Sequence, residues 1–137
     1  MLTKSTYLRI VRASAFYDLV VTAPFATPWT FAFLADQMRQ IHESLGLTGL
    51  VPILDPIQVL FANLMGSVVI VWSVARLHLG LHIFGRYDAA ARVLFAMWMI
   101  YALASGLSFI ILPVLVIEIA FAIAQLLPYS GDNSETA

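Results

Sequence analysis

The chain has 137 residues, 61% of them hydrophobic and only 11% charged, with a formal net charge of -1, against about 45–50% apolar and 25% charged in a soluble domain. With a mean hydropathy of +0.91, this composition excludes an ordinary soluble domain and predicts an all-α integral membrane protein. The absence of cysteine excludes disulfides, thiolate nucleophiles and cysteine-held metal or cluster sites, and the seven Lys and Arg residues form no basic patch of the kind that nucleic acid requires.

Four apolar segments of about 20 residues would consume most of the chain, so residues 1–127 read as a single four-helix membrane bundle and 128–137 as a short disordered cytoplasmic tail. The first span is expected over 10–34. Pro24 and Pro28 lie inside it, and each removes a backbone donor and kinks or breaks the helix. Thr27 before Pro28 forms an N-cap and first-turn pair, from which a second helical stretch runs to about 45. Leu34, Met38, Ile41 and Leu45 recur there at helical spacing opposite Asp36, Gln37, Arg39, Gln40 and Glu43, which predicts an outer amphipathic helix lying on the membrane surface or capping the bundle. Asp18 and the two prolines also argue for an uncleaved span rather than a signal peptide.

The second span is expected over 56–75, capped by Asp55 with Pro56 at its first turn. Asn63, Gly66 and Ser67 give it a small and polar face, which reads more readily as helix packing than as ligand contact. The inner loop RLHLGLHIFGRYD follows, with Asp88 expected to cap a third span over 89–107 and to pair with Arg92 one turn on. A fourth span over 109–127 follows almost without a loop and ends at Pro128.

Four crossings place both termini on one side. With that side cytoplasmic, Lys4, Arg9, Arg12, Arg76, Arg86 and Arg92 fall at inner ends and only Arg39 outside, in keeping with the positive-inside rule of an inner-membrane protein. The layout of one span, an outer amphipathic segment and then three spans with a tight last hairpin is similar to small bacterial DoxX-like membrane proteins. That resemblance is one of architecture and implies no activity or site residue.

Glu118 is the first candidate for function. It lies at the middle of IILPVLVIEIAFAIAQLL, where an ionisable group costs roughly 3 kcal/mol or more and is therefore expected to face a bundle interior, a partner or a water-filled path. Asp18 falls at a similar expected depth, and Arg12 and Arg92 are the expected counterions. Tyr17, Tyr101 and Ser105 are candidates to complete the site, with Tyr101 and Ser105 on one helical face; Asn63 is a further candidate. Two readings stand: a carboxylate–guanidinium staple, or a proton, ion or small-molecule site. His78 and His82, four apart, are weak metal candidates, because two imidazoles make an incomplete site. The expectation is a small-molecule or ion transport or accessory role, with no cofactor. The alternatives are a structural subunit of a larger membrane complex and a membrane enzyme built on the histidine pair. A bundle this small also leaves little interior of its own, so a homo-oligomer or a larger complex is expected.

Overall fold

The computed structural model describes residues 2–130. The tail expected over 128–137 therefore lies mostly outside the described residues. Within the described residues, Tyr129–Ser130 (β2) pairs in parallel with Leu2–Thr3 (β1) and brings the two ends of the described segment side by side.

Five helices make up the rest: α1 Lys4–Thr22, α2 Pro28–Ser44, α3 Pro56–Leu79, α4 Ile83–Ala104 and α5 Leu112–Leu126. Three segments are long and apolar enough to cross a bilayer, namely α3, His82–Ala104 and Phe109–Leu126. The pair formed by Lys4–Ala26 and Pro28–Ser44 supplies a fourth if taken as one broken span, bent by 104°. Its break follows from sequence: the chain passes through a 3-10 turn over Ala23–Ala26, and α2 restarts at Pro28 with Thr27 Oγ1 accepting from the Thr30 amide. The kinked span expected over 10–34 is thus two helices nearly at right angles, the second restarting at Pro28 as expected.

Asp55 and Gln58 form a reciprocal capping box at the start of α3, which satisfies donors that a helix end otherwise leaves orphaned. Gly80 ends α3 with a φ of 58°, a conformation available to glycine at little cost. The turn is completed at Gly80, so α4 begins at Ile83 rather than at 89. Asp88 consequently lies inside α4 and does not cap it, while its pairing with Arg92 does form.

Asn63 Nδ2 donates to the Phe25 carbonyl at 2.7 Å. Gly66 lets that same backbone approach, since a Cβ there would meet the Phe25 carbonyl carbon at 2.7 Å. The two residues therefore dock the 3-10 turn on α3, and Asn63 acts in packing. Replacing Asn63 by leucine should lower the thermal midpoint of the purified protein by the equivalent of about 1 kcal/mol, the usual size of a hydrogen bond between membrane helices. An unchanged midpoint would contradict this docking role.

The far end of the bundle is closed by hydrogen bonds from Leu50 to Gly106 and from Ser108 to Leu50, with His42 Nδ1 and Ser108 Oγ 2.7 Å apart. Polarity is arranged inside out. Among the described residues, Ser14, Asp18, Ser73, Arg76, Asp88, Arg92, Glu118 and Gln125 are buried, whereas Val68, Val71, Trp98 and Ile123 are more than half exposed. Only 11% of the most apolar window of α3 is buried. An apolar exterior around a polar interior suits a lipid surrounding, where the bilayer rather than a protein core takes up apolar surface.

Candidate functional site

Four of the five helices, all but α2, contribute charged or polar side chains to one buried network. α1 presents Ser14 and Asp18 one turn apart, α3 presents Ser73 and Arg76, α4 presents Asp88 and Arg92, and α5 presents Glu118 and Gln125. These spacings of three, four and seven place each pair on a single helix face.

Arg92 is the hub. Its guanidinium reaches Asp18 at 2.7 Å, Asp88 at 3.1 Å and Glu118 at 2.7 Å, and its planar fork suits contacts in several directions. Phe121 covers it, with the ring centroid 4.9 Å from Cζ. Arg76 forms a second bridge, to Asp18 and to Asp88, each at 2.5 Å. Around the ions, Ser14 Oγ donates to Asp88 at 2.9 Å, Gln125 Nε2 donates to Asp88 at 2.7 Å, and Trp72 Nε1 donates to the other oxygen of Asp88 at 3.3 Å. All five ions are at least nine-tenths buried: Asp18 is 8% exposed, Arg76 0%, Asp88 3%, Arg92 1% and Glu118 6%.

The structure thus brings together Asp18, Arg92 and Glu118 from the expected set and leaves the others outside the network. Arg12 is exposed on α1 and lies over the turn at Gly80; the second counterion is Arg76. Tyr101, 67% exposed, and Ser105 sit at the opposite end of α4 and face outward. Tyr17 lies close by, tilted against Phe121 at 5.6 Å, with a buried hydroxyl that has no hydrogen-bond partner among the described residues. Arg76, Asp88, Ser14 and Gln125 were not expected. Arg76 and Asp88 look like interface residues because each stands near a span end, and their signal was the helical spacing to Ser73 and Arg92.

His78 and His82 do not form a helical pair. Gly80 breaks the helix between them, leaving His78 exposed in the last turn of α3, while His82 stacks with Tyr7 and Tyr129. No cluster of three or more residues able to hold a metal ion occurs among the described residues.

The network is also unbalanced and incompletely bonded. Three carboxylates meet two guanidiniums, a net charge of -1 when all are ionised. Gln125 Oε1 and Arg76 Nε are buried without a partner among the described residues, a condition uncommon for buried polar atoms. An excess charge in a low-dielectric interior is relieved by a proton or a counter-cation.

A cleft of about 210 Å³ opens onto this network between α3 and α4, lined by Asp18, Val68, Val69, Trp72, Asp88, Ala91, Arg92 and Phe95. A shallower apolar groove of about 630 Å³ runs between α1 and α5, past Ile10, Ala13, Ile117, Ala120 and Ala124. No family model, curated protein or solved structure matches this chain, and the likeness of layout to DoxX-like proteins therefore assigns it to no family.

Proposed function

We propose that the chain is a small inner-membrane protein with a transport or accessory role, in which the buried carboxylate–guanidinium network binds and exchanges a proton or small cation. The observation that carries this reading is the excess of one carboxylate over guanidinium in a cluster at least nine-tenths buried. A purely structural staple is most favourable when its charges balance, because each uncompensated buried charge costs several kcal/mol. Glu118 is the exchanging group we favour, since it is held by Arg92 alone through one oxygen, whereas Asp18 and Asp88 are each bridged by both arginines.

The orientation we favour places both termini in the cytoplasm. Arg76 and Arg92 are consumed in the network, so the positive-inside argument rests on Lys4, Arg9, Arg12 and Arg86 at the terminal end against Arg39 at the other. Arg86 is itself held to the end of α5, donating to the Leu126 carbonyl at 2.7 Å.

The test is proton flux in proteoliposomes carrying an internal pH dye. Native protein should collapse an imposed pH gradient faster than empty liposomes, and Glu118→Gln should reduce that rate by about tenfold or more while eluting as the same species from a sizing column. Equal rates in native and Glu118→Gln liposomes would remove Glu118 from any transfer step.

A second reading, a structural subunit or self-associating protein, is favoured by the groove between α1 and α5. Its small residues Ala13, Ala120 and Ala124 are of the type that lets membrane helices approach closely. Native mass in nanodiscs separates the two readings: a large hetero-complex supports the subunit.

A further inference from the structure

We propose that the cleft between α3 and α4 is a binding site for a small lipophilic organic monocation that comes in sideways from the bilayer. The inference deepens the functional reading above, on which its charge argument rests. α3 and α4 meet at the turn Gly80–His82 and are bridged near it by Trp72, which packs edge-on against Phe84 at 5.2 Å and donates to Asp88. The cleft lies between the two helices beside that bridge, with Trp72 in its lining. Val68 at 68% and Phe95 at 40% exposure mark its mouth on the lipid-facing side, while Asp18, Asp88 and Arg92 form its inner wall.

Hydrogen-bonding capacity decides the sign of the guest. Arg92 is the one guanidinium in the cleft lining, and it already directs its donors to Asp88 through Nε, to Glu118 through Nη1 and to Asp18 through Nη2, so the cleft wall offers little to an anion. The carboxylates retain room to accept. An ionised carboxylate has about four lone-pair sites, yet Asp18 Oδ1 accepts from Arg92 alone and Asp88 Oδ1 accepts from Trp72 alone. The charged groups on the cleft wall are Asp18 from α1 and Asp88 and Arg92 from α4, and bonded to them from behind are Arg76 from α3 and Glu118 from α5. Their sum is the same net -1, which one monovalent cation cancels.

Size and lining give the class. At about 30 Å³ for each water-sized group, 210 Å³ admits a compact ammonium head with part of an apolar body. Trp72 and Phe95 supply aromatic walls, which attract cations through their faces and pack an aryl or alkyl substituent. A hydrated inorganic ion has no use for such walls, whereas a lipophilic ammonium uses both the walls and the charge.

The probe is benzyltrimethylammonium, whose charge is independent of pH, compared with its neutral isostere neopentylbenzene. Each is titrated calorimetrically against the full chain in nanodiscs, with empty nanodiscs subtracted. Saturable binding of the cation is expected at about one per chain, with the neutral isostere failing to compete. Ala91→Phe, which fills the cleft without altering an ionic group, should weaken binding by about tenfold or more at an unchanged thermal midpoint. Asp18→Asn should weaken it similarly wherever that variant folds. Partition equal to that of empty nanodiscs would overturn the site, as would native-like binding by Ala91→Phe or equal competition by neopentylbenzene. Cation binding that persists while Glu118→Gln leaves proton flux unchanged would uphold the cleft and remove only the proton-transfer role.

Discussion

Arg92→Leu is expected to abolish recovery of a folded, monodisperse protein, or to lower its thermal midpoint more than any other single substitution in the network. Arg92 joins carboxylates from three helices, and its loss leaves three carboxylates facing Arg76 alone. Glu118 then has no cationic partner, and the net charge of the cluster moves from -1 to -2 by the same count. Removing one partner of a buried pair costs about 3–5 kcal/mol because the other charge stays behind, and total stabilities are only about 5–15 kcal/mol. Arg92→Lys should fall between the two, since an ammonium keeps the charge but cannot span three carboxylates with a planar fork. The mechanism makes a sharper demand through the double variant. Arg92→Leu with Glu118→Gln restores the net charge to -1 and removes the stranded carboxylate, so it should recover part of the lost stability. Thermal unfolding followed by size-exclusion chromatography reads all three. A midpoint for Arg92→Leu within about 1 kcal/mol of native would show that the network does not hold the helices together, and non-additivity in the cycle measures the coupling directly.

The same physics explains which parts of this site were legible in the chain. Glu118 and Asp18 stood out because a charge deep in an apolar run is expensive, and that cost does not depend on tertiary detail. Arg76 and Asp88 lacked this signal, because reading α3 as ending near 75 and the next span as beginning at 89 put both at the membrane surface. The real α3 runs on to Leu79 and α4 starts at Ile83, and those extra turns carry Arg76 and Asp88 into the bundle. The turn chemistry at Gly80 was visible, but Gly80 and Gly85 are both glycines, and only one of them breaks a helix. Periodicity would have found Ser14 with Asp18 and Glu118 with Gln125, yet it would equally have retained Tyr101 with Ser105. Helical spacing fixes a face and says nothing about whether that face points inward. The bend between α1 and α2 was half legible: Thr27 and Pro28 marked the restart, while the 104° turn is docked through its 3-10 segment by Asn63 and Gly66 of α3, Asn63 lying 38 residues beyond the Phe25 carbonyl it binds.

Gly85→Leu should rival the loss of Arg92, although it touches no charged group. Gly85 lies on α4 against Tyr7 and Val11 of α1. A Cβ there would fall 2.5 Å from the Tyr7 hydroxyl, 2.7 Å from Val11 Cγ2 and 2.9 Å from Tyr7 Cζ, and both Tyr7 and Val11 are fully buried. Neither neighbour has space to yield. Tyr7 is fixed by its hydroxyl, which donates to the Gln125 carbonyl at 2.9 Å, and by stacking on Tyr129 at 4.4 Å. A leucine must therefore push α1 off α4, and the displacement passes to the layer one turn further in, where Ser14 meets Asp88 and Gln125. Overpacking alone costs about 1–3 kcal/mol, and disturbing the ionic layer adds to it, so the folded yield should fall sharply. Gly85→Ala should show a smaller loss that Val11→Ala partly relieves, because the added methyl and the removed Cγ2 occupy the same space. If Gly85→Ala proves neutral and Val11→Ala brings no relief, α1 and α4 are not in contact at this crossing. The ionic layer beyond it would then be set by the arginines alone, and the Arg92 variants would carry the whole of the coupling.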